Sequence, residues 1–202
     1  MEMKKITEDI FYIPATSHPL SADVGIIRRK DELWIFDVGS SEEAAAIVNG
    51  LPCRKNIVLS HFHPDHMGNI ASIEYDALYA GAYTCRRLDK ATAVCEHRYF
   101  ESGIHLFPLP SSHAKGCVGL EYGAYAFLGD GTYSGVKGGR TVYNAGLLQA
   151  LITTLGTLSA EWFLQSHREP FLCSKAEVLA SLQEIYRRRD NQSPYIDIAA
   201  DS

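Results

Sequence analysis

Six consecutive residues, His61-Phe62-His63-Pro64-Asp65-His66, carry three imidazoles and a carboxylate, a density that metal coordination explains and side-chain packing does not. His63 precedes proline, which disfavours the α region and keeps that residue extended. Side chains two apart on an extended segment point the same way, so His61 and His63 can grip one cation together. Pro64 then turns the chain, and Asp65 and His66 open a helical stretch aimed elsewhere. Two donor pairs in two directions predict two cations. Four donors do not complete two sites, and three residues that close strand-like runs are candidates for the remainder. His113 follows the run ending Pro108-Leu109-Pro110, Asp130 ends Tyr125-Ala126-Phe127-Leu128-Gly129, and His167 ends Trp162-Phe163-Leu164-Gln165-Ser166. Imidazole and carboxylate donors without thiolates suit zinc, with iron or manganese as the alternatives the donor set admits.

The elements that must position these residues can be read from hydropathy patterning. Asp9–Ile13, Val24–Arg28 and Glu32–Phe36 read as strands, the last two joined by a polar turn at Arg29-Lys30-Asp31. Ser40-Ser41-Glu42-Glu43 opens a helix that continues to Leu51, with acids in its first turn. Strand Asn56–Ser60 leads into the histidine cluster, helix-compatible residues follow from Met67, and Ala77–Ala80 is a further strand. Strands resume at Ile104–Phe107, Gly116–Tyr122 and Tyr125–Leu128; helices are expected over 144–158 and 174–189, flanking the strand Trp162–Leu164. Ser174 and Glu177 have capping-box spacing. Arg187-Arg188-Arg189 reads as a solvated basic helix end, complementing the dipole. Strands followed by helices in both halves imply layered sheets covered by helices.

Composition narrows the function classes. The 202 residues suggest one domain spanning 1–202. With 19 basic against 24 acidic residues the formal net charge is −5, which argues against a nucleic-acid or anionic-membrane surface. No apolar run approaches a membrane span, and the start Met1-Glu2-Met3-Lys4-Lys5 leads into no signal-type segment. Five scattered cysteines without a CxxC pair read as free thiols in a reducing cytoplasm. Cys117, close to His113, reads as a small buried hydrophobe.

In the order and spacing of these residues the chain resembles the metallo-β-lactamase superfamily, from about residue 7 to 190. The superfamily's HxHxDH stands here as His61, His63, Asp65 and His66; its later histidines correspond to His113 and His167, its bridging aspartate to Asp130, and an early strand-end aspartate to Asp37. The resemblance implies an α/β fold, a four-layer αββα sandwich with metals at one edge. It assigns His61, His63 and His113 to one metal, Asp65, His66 and His167 to the other, and Asp130 to both. Asp37 would support a ligand or the motif loop from behind. Ser112 and Ser166 stand where many members carry glycine, and Asn69 where a second glycine is common; these departures affect loop geometry beside the ligands.

The expected cofactors are two Zn²⁺, and the expected activity is hydrolysis of a small ester, thioester or lactone by a metal-bridging hydroxide. Zinc lowers the pKa of bound water from about 15.7 towards 7. Two such ions against Asp65, Asp130 and one hydroxide leave a charge of about +1, suited to an anionic intermediate. Asp65 would orient the hydroxide and shuttle its proton. Tyr133, Arg140 and Tyr143, with Lys137, lie in a Gly-rich segment after Asp130 and are the candidate substrate-binding residues; for the two charges, solvated loop positions are the competing reading. The alternatives are an iron-dependent dioxygenase or other redox member of the superfamily, and a glyoxalase-II-like thioesterase, although only about 35 residues follow His167. The expected partner is a small-molecule substrate, without nucleic acid or membrane, and the sequence leaves a homo-oligomer open.

Overall fold

A computed structural model describes residues 2–190 and 192–198 of the chain. The larger sheet has seven strands in the order β1 (Lys4–Lys5), β2 (Ile10–Ile13), β5 (Val24–Arg28), β6 (Glu32–Phe36), β7 (Arg54–Leu59), β8 (Ala77–Ala80) and β9 (Thr92–Ala93). The second has six: β10 (Arg98–Tyr99), β11 (Ile104–Leu109), β12 (Cys117–Tyr122), β13 (Tyr125–Gly129), β16 (Trp162–Gln165) and β17 (Leu172–Ser174). A two-stranded ribbon joins β3 (Thr16–Ser17) to β4 (Leu20–Ser21), and a small sheet holds β14 (Gly135–Lys137), β15 (Arg140–Asn144) and β18 (Tyr195–Asp197). The helices are α1 (Glu42–Gly50), α2 (Pro64–Met67), α3 (Ala82–Cys85), α4 (Ala145–Thr157) and α5 (Lys175–Arg187).

The period of two along each strand explains the layering. In β6, Leu33 and Ile35 join a core with Ala44 and Val48 of α1, while Trp34 and Phe36 face a second core between the sheets. In β13, Phe127 enters that same inter-sheet core, whereas Ala126 and Leu128 pack with Leu148, Leu151 and Leu155 of α4 and Val178 and Leu182 of α5. Three apolar layers therefore separate four layers of structure, giving the αββα order. Ser41, Asn144 and Ser174 each cap a helix with a side-chain oxygen, and Ser174 with Glu177 completes a capping box.

Strand direction puts the chemistry at one edge. The first sheet turns from antiparallel to parallel between β6 and β7, and β13 lies parallel to β16 in the second. Neighbouring strands thus end side by side, and ligand sites form at such carboxyl ends. Asp37, His61, Asp130 and His167 follow the ends of β6, β7, β13 and β16, and His113 follows β11. Two expectations change here. The helix expected from Met67 is one turn that begins at Pro64, succeeded by a 3₁₀ turn at Ile70–Ser72, because the Asn69 side chain is held by Val38 O and Ser41 O. The Gly-rich segment after Asp130 is a hairpin, β14–β15.

At the opposite end of the second sheet, buried Glu121 accepts from Ala160 N at 2.7 Å, from Ser159 Oγ at 2.9 Å and from His105 Nδ1 at 2.7 Å. Burial alone would raise its pKa, but these donors outweigh burial and hold it below the usual range. A depressed carboxylate contributes stability that is present above its unfolded pKa and lost as pH falls through the folded value. Glu121→Gln is therefore expected to cost about 1–3 kcal/mol near neutrality. In urea unfolding the deficit should shrink once the pH drops below the ordinary carboxylate range, and a pH-independent deficit would contradict this account.

Candidate metal centre

The site begins behind the ligands. Asp37 adopts the left-handed region (φ 60°), which aspartate tolerates better than most residues. This places Oδ1 to accept from Ser60 N and Oδ2 to accept from Ser60 Oγ, both at 2.7 Å. Oδ2 also accepts from His66 Nδ1 at 2.8 Å. With its proton committed to Asp37, the Ser60 hydroxyl can only accept from His61 Nδ1 at 2.9 Å. In their neutral form both imidazoles are thereby fixed in the tautomer that presents a bare Nε2 forward. Gly129 closes the wall from the other sheet. A Cβ there would lie 2.7 Å from Ser60 Cβ and Oγ, and its φ is +54°, so both space and backbone call for glycine.

The forward atoms converge. His63, extended before proline as expected (φ −70°, ψ 143°), brings its ring centroid to 4.4 Å from that of His61. His113 Nε2 lies 3.1 Å from His63 Nδ1, and its Nδ1 donates to Ser134 O. His61, His63 and His113 form one group able to hold a metal; Asp65, His66, Asp130 and His167 form a second. Asp130 Oδ2 stands 3.3 Å from His66 Nε2 and 3.4 Å from His113 Nε2, so it touches both groups. All seven residues expected from the sequence are brought together, and the HxHxDH segment divides between two directions.

A cation fits the arrangement on structural grounds. His61 Nε2, His66 Nε2 and Asp130 Oδ1 are buried with no hydrogen-bond partner, a costly condition for polar atoms unless something binds them. Burial first, and then the neighbouring imidazoles, push the His61 pKa far down, so its Nε2 stays an unprotonated donor. At His66 burial also favours the neutral ring, but Asp37 and Asp130 outweigh it and raise the pKa to about 10. A cation taking His66 Nε2 must expel that proton. Metal affinity is expected to rise at least about tenfold per pH unit until the pH approaches about 10, where His66 gives up that proton unaided. Competition titration with a chromophoric chelator would measure this, and a flat profile would refute it.

Two supporting residues escape sequence reasoning. Ser60 was legible only as a strand terminus. Asp23, buried between β4 and β5, accepts from His167 N at 3.0 Å and from Ala15 N at 3.0 Å, holding His167 in a left-handed conformation (φ 59°). His167 Nε2 in turn meets Asp65 Oδ2 at 2.9 Å. Of the residues at unusual positions, Ser112 has work for its side chain, whose Oγ accepts from Asn144 N at 2.9 Å; Ser166 offers the Tyr133 hydroxyl only a backbone carbonyl, which glycine would supply as well.

The candidate substrate-binding residues are scattered rather than gathered at one cleft. A cleft of about 360 Å³ opens beside His113, and neither Tyr133, Arg140 nor Tyr143 lines it. Tyr143 is buried in the core against α4 and α5, with its hydroxyl donating to Thr132 O. Arg140 is drawn to Asp197 at 3.0 Å across β15 and β18. Tyr133 donates to Ser166 O and lines a narrow cavity of about 60 Å³ beside α5, with its ring centroid 6.4 Å from that of His113. Lys137 does line the cleft. Cys117 is buried, as expected, and burial pushes its thiol up to about 12.

No protein-family model matches the chain, and no curated protein does. Solved structures do. The chain is similar to Rm3 metallo-β-lactamase (13% identity, 95% of this chain and 94% of that one, TM-score 0.74) and to DIM-1 metallo-β-lactamase (18%, 92% and 96%, TM-score 0.69). It is also similar to a structure described as a peroxy diiron species of the chemotaxis sensor ODP (15%, 90% and 94%, TM-score 0.67). At these identities the likeness is one of fold.

Proposed function

From the premise that this chain has the metallo-β-lactamase fold with a His/Asp group able to hold metal, we propose that it is a dinuclear zinc-dependent hydrolase of a small ester, thioester or lactone. One observation carries the reading: seven donors from two sheets converge, and three of their buried atoms have no hydrogen-bond partner. Zinc bound there would lower the pKa of a coordinated water from about 15.7 towards 7 and polarise the scissile carbonyl. The remaining tasks fall to the chain. His61, His63 and His113 would hold one cation and Asp65, His66 and His167 the other, with Asp130 serving both. Ser60, Asp37 and Asp23 keep those donors in place. The Asp65 carboxylate is 15% exposed, more open than that of Asp130 at 8%, and is the group suited to take a proton from the attacking water at its oxygen.

Elemental analysis of untreated protein, with a hydrolysis panel of thioesters, lactones, phosphodiesters and a β-lactam, tests the reading. Asp65→Asn is expected to lower turnover at least about a hundredfold while metal held by His61, His63 and His113 persists. Equal loss of both would reduce Asp65 to a ligand. The diiron neighbour supports a second reading, because nitrogen and oxygen donors also suit iron. Iron content with oxygen consumption, and no hydrolysis, would favour a redox enzyme.

A further inference from the structure

The cleft beside His113 has an unusual wall. Its lining includes Phe62, Tyr83, Val136 and Leu147 together with Lys115 and Lys137. Val136 is 79% exposed and Leu147 41% exposed, two of the six large hydrophobic side chains that the described residues leave in solvent. Apolar side chains held out at the mouth of a cleft are a cost that a ligand would offset. Val136 is carried there by the β14–β15 hairpin, which is pressed on the His113 loop so tightly that a Cβ at Gly135 would lie 2.1 Å from Ser112 O.

The charge is as one-sided as the apolarity. The chain carries a net −5, yet no carboxylate lines this cleft among the described residues, and both charged lining groups are lysines. A third cation stands directly behind: Arg87 lies over the Phe62 ring at 4.3 Å and over Tyr83 at 4.6 Å, pinned by a hydrogen bond to Tyr83 O. Lys115 Nζ is 5.9 Å from the Tyr83 ring centroid. The ion pairs within 4.0 Å among the described residues engage other side chains, so none of these three cations is paired with a carboxylate.

We infer that this cleft selects molecules with an apolar body bearing an anionic group, the body lying on Phe62, Val136 and Leu147 and the anion held by Lys115 and Lys137. The inference names the substrate class for the hydrolase reading and rests on it for its catalytic meaning. A cleft of about 360 Å³ admits a small molecule of that kind. Lys115 and Lys137 are exposed, so their pull on an anion is modest and is screened by salt.

Binding can be read without turnover. Zinc-loaded protein is titrated calorimetrically with 4-phenylbutyrate, 4-phenylbutylphosphonate and 4-phenylbutanol. The anionic probes are expected to bind at least about tenfold tighter than the alcohol, with an advantage that declines as salt is added. In a Lys115→Ala/Lys137→Ala double variant the anions should lose about tenfold and the alcohol should be unchanged; Lys115→Arg/Lys137→Arg should restore binding. A tighter phosphonate than carboxylate keeps the inference and makes the anion phosphate-like. Anion binding that survives removal of both lysines overturns it, because the metal alone would then take the anion, as does an alcohol bound as tightly as the acids. If the probes bind as expected and the hydrolysis panel is silent, the hydrolase reading fails while the cleft's selectivity stands.

Discussion

Alanine in place of His61 is expected to remove metal from the first group and lower turnover by about 10³-fold or more. His61 is fully buried, its Nδ1 is tied to Ser60, and its Nε2 is one of the buried atoms without a partner. Its ring lies at the middle of the centre, with centroids 4.1, 4.4 and 5.1 Å from those of His66, His63 and His113. The wall behind it, Ser60 and Asp37, is already committed and offers no replacement donor. Metal analysis and turnover should fall together while circular dichroism shows the fold retained. Turnover above about a tenth of the parent would mean that these histidines do not hold the reactive centre.

Asp37→Asn should have the next largest effect although Asp37 touches no reacting atom. Asparagine accepts the left-handed backbone at this position, so the change is one of hydrogen bonding alone. Three donors converge on two carboxylate oxygens: Ser60 N on one, Ser60 Oγ and His66 Nδ1 on the other. An amide turned either way sets its NH₂ against at least one of them. His66 would lose the partner that fixes its tautomer, and Ser60 would be freed to turn from His61. Metal affinity is expected to fall about 10–100-fold, with a loss of about 1–3 kcal/mol in unfolding experiments on the chelated protein. Affinity within about threefold of the parent would show that Asp37 does not position the ligands.

Much of this centre was legible because its signals are local. Pro64 fixes His63 as extended, and the strands that end at Asp37, His61, Asp130 and His167 announce themselves as apolar runs closed by a polar residue. Asp23 carries no such signal. It bonds to a backbone N–H 144 residues away, and only the convergence of the two sheets brings them together. The placement of Arg140 and Tyr143 was not legible for the opposite reason: nearness to Asp130 in sequence says nothing about which way a hairpin side chain turns, and β18 decides that by pairing with β15. The cleft residues Phe62, Tyr83 and Lys115 come from three separate loops and short helices, so no spacing links them.

The donors are divided by sheet. His61, His63, Asp65 and His66 leave the end of β7, whereas His113, Asp130 and His167 hang from β11, β13 and β16. Cations shared by these two sets would act as rivets between halves that are otherwise joined at this edge by few polar links, such as Val118 N donating to Ser60 O at 2.9 Å. Ion at about a hundred times its dissociation constant adds about 2.7 kcal/mol to the folded state. Scarcity of metal would then slacken the very seam that carries the donors, coupling the protein's lifetime to the supply of such an ion.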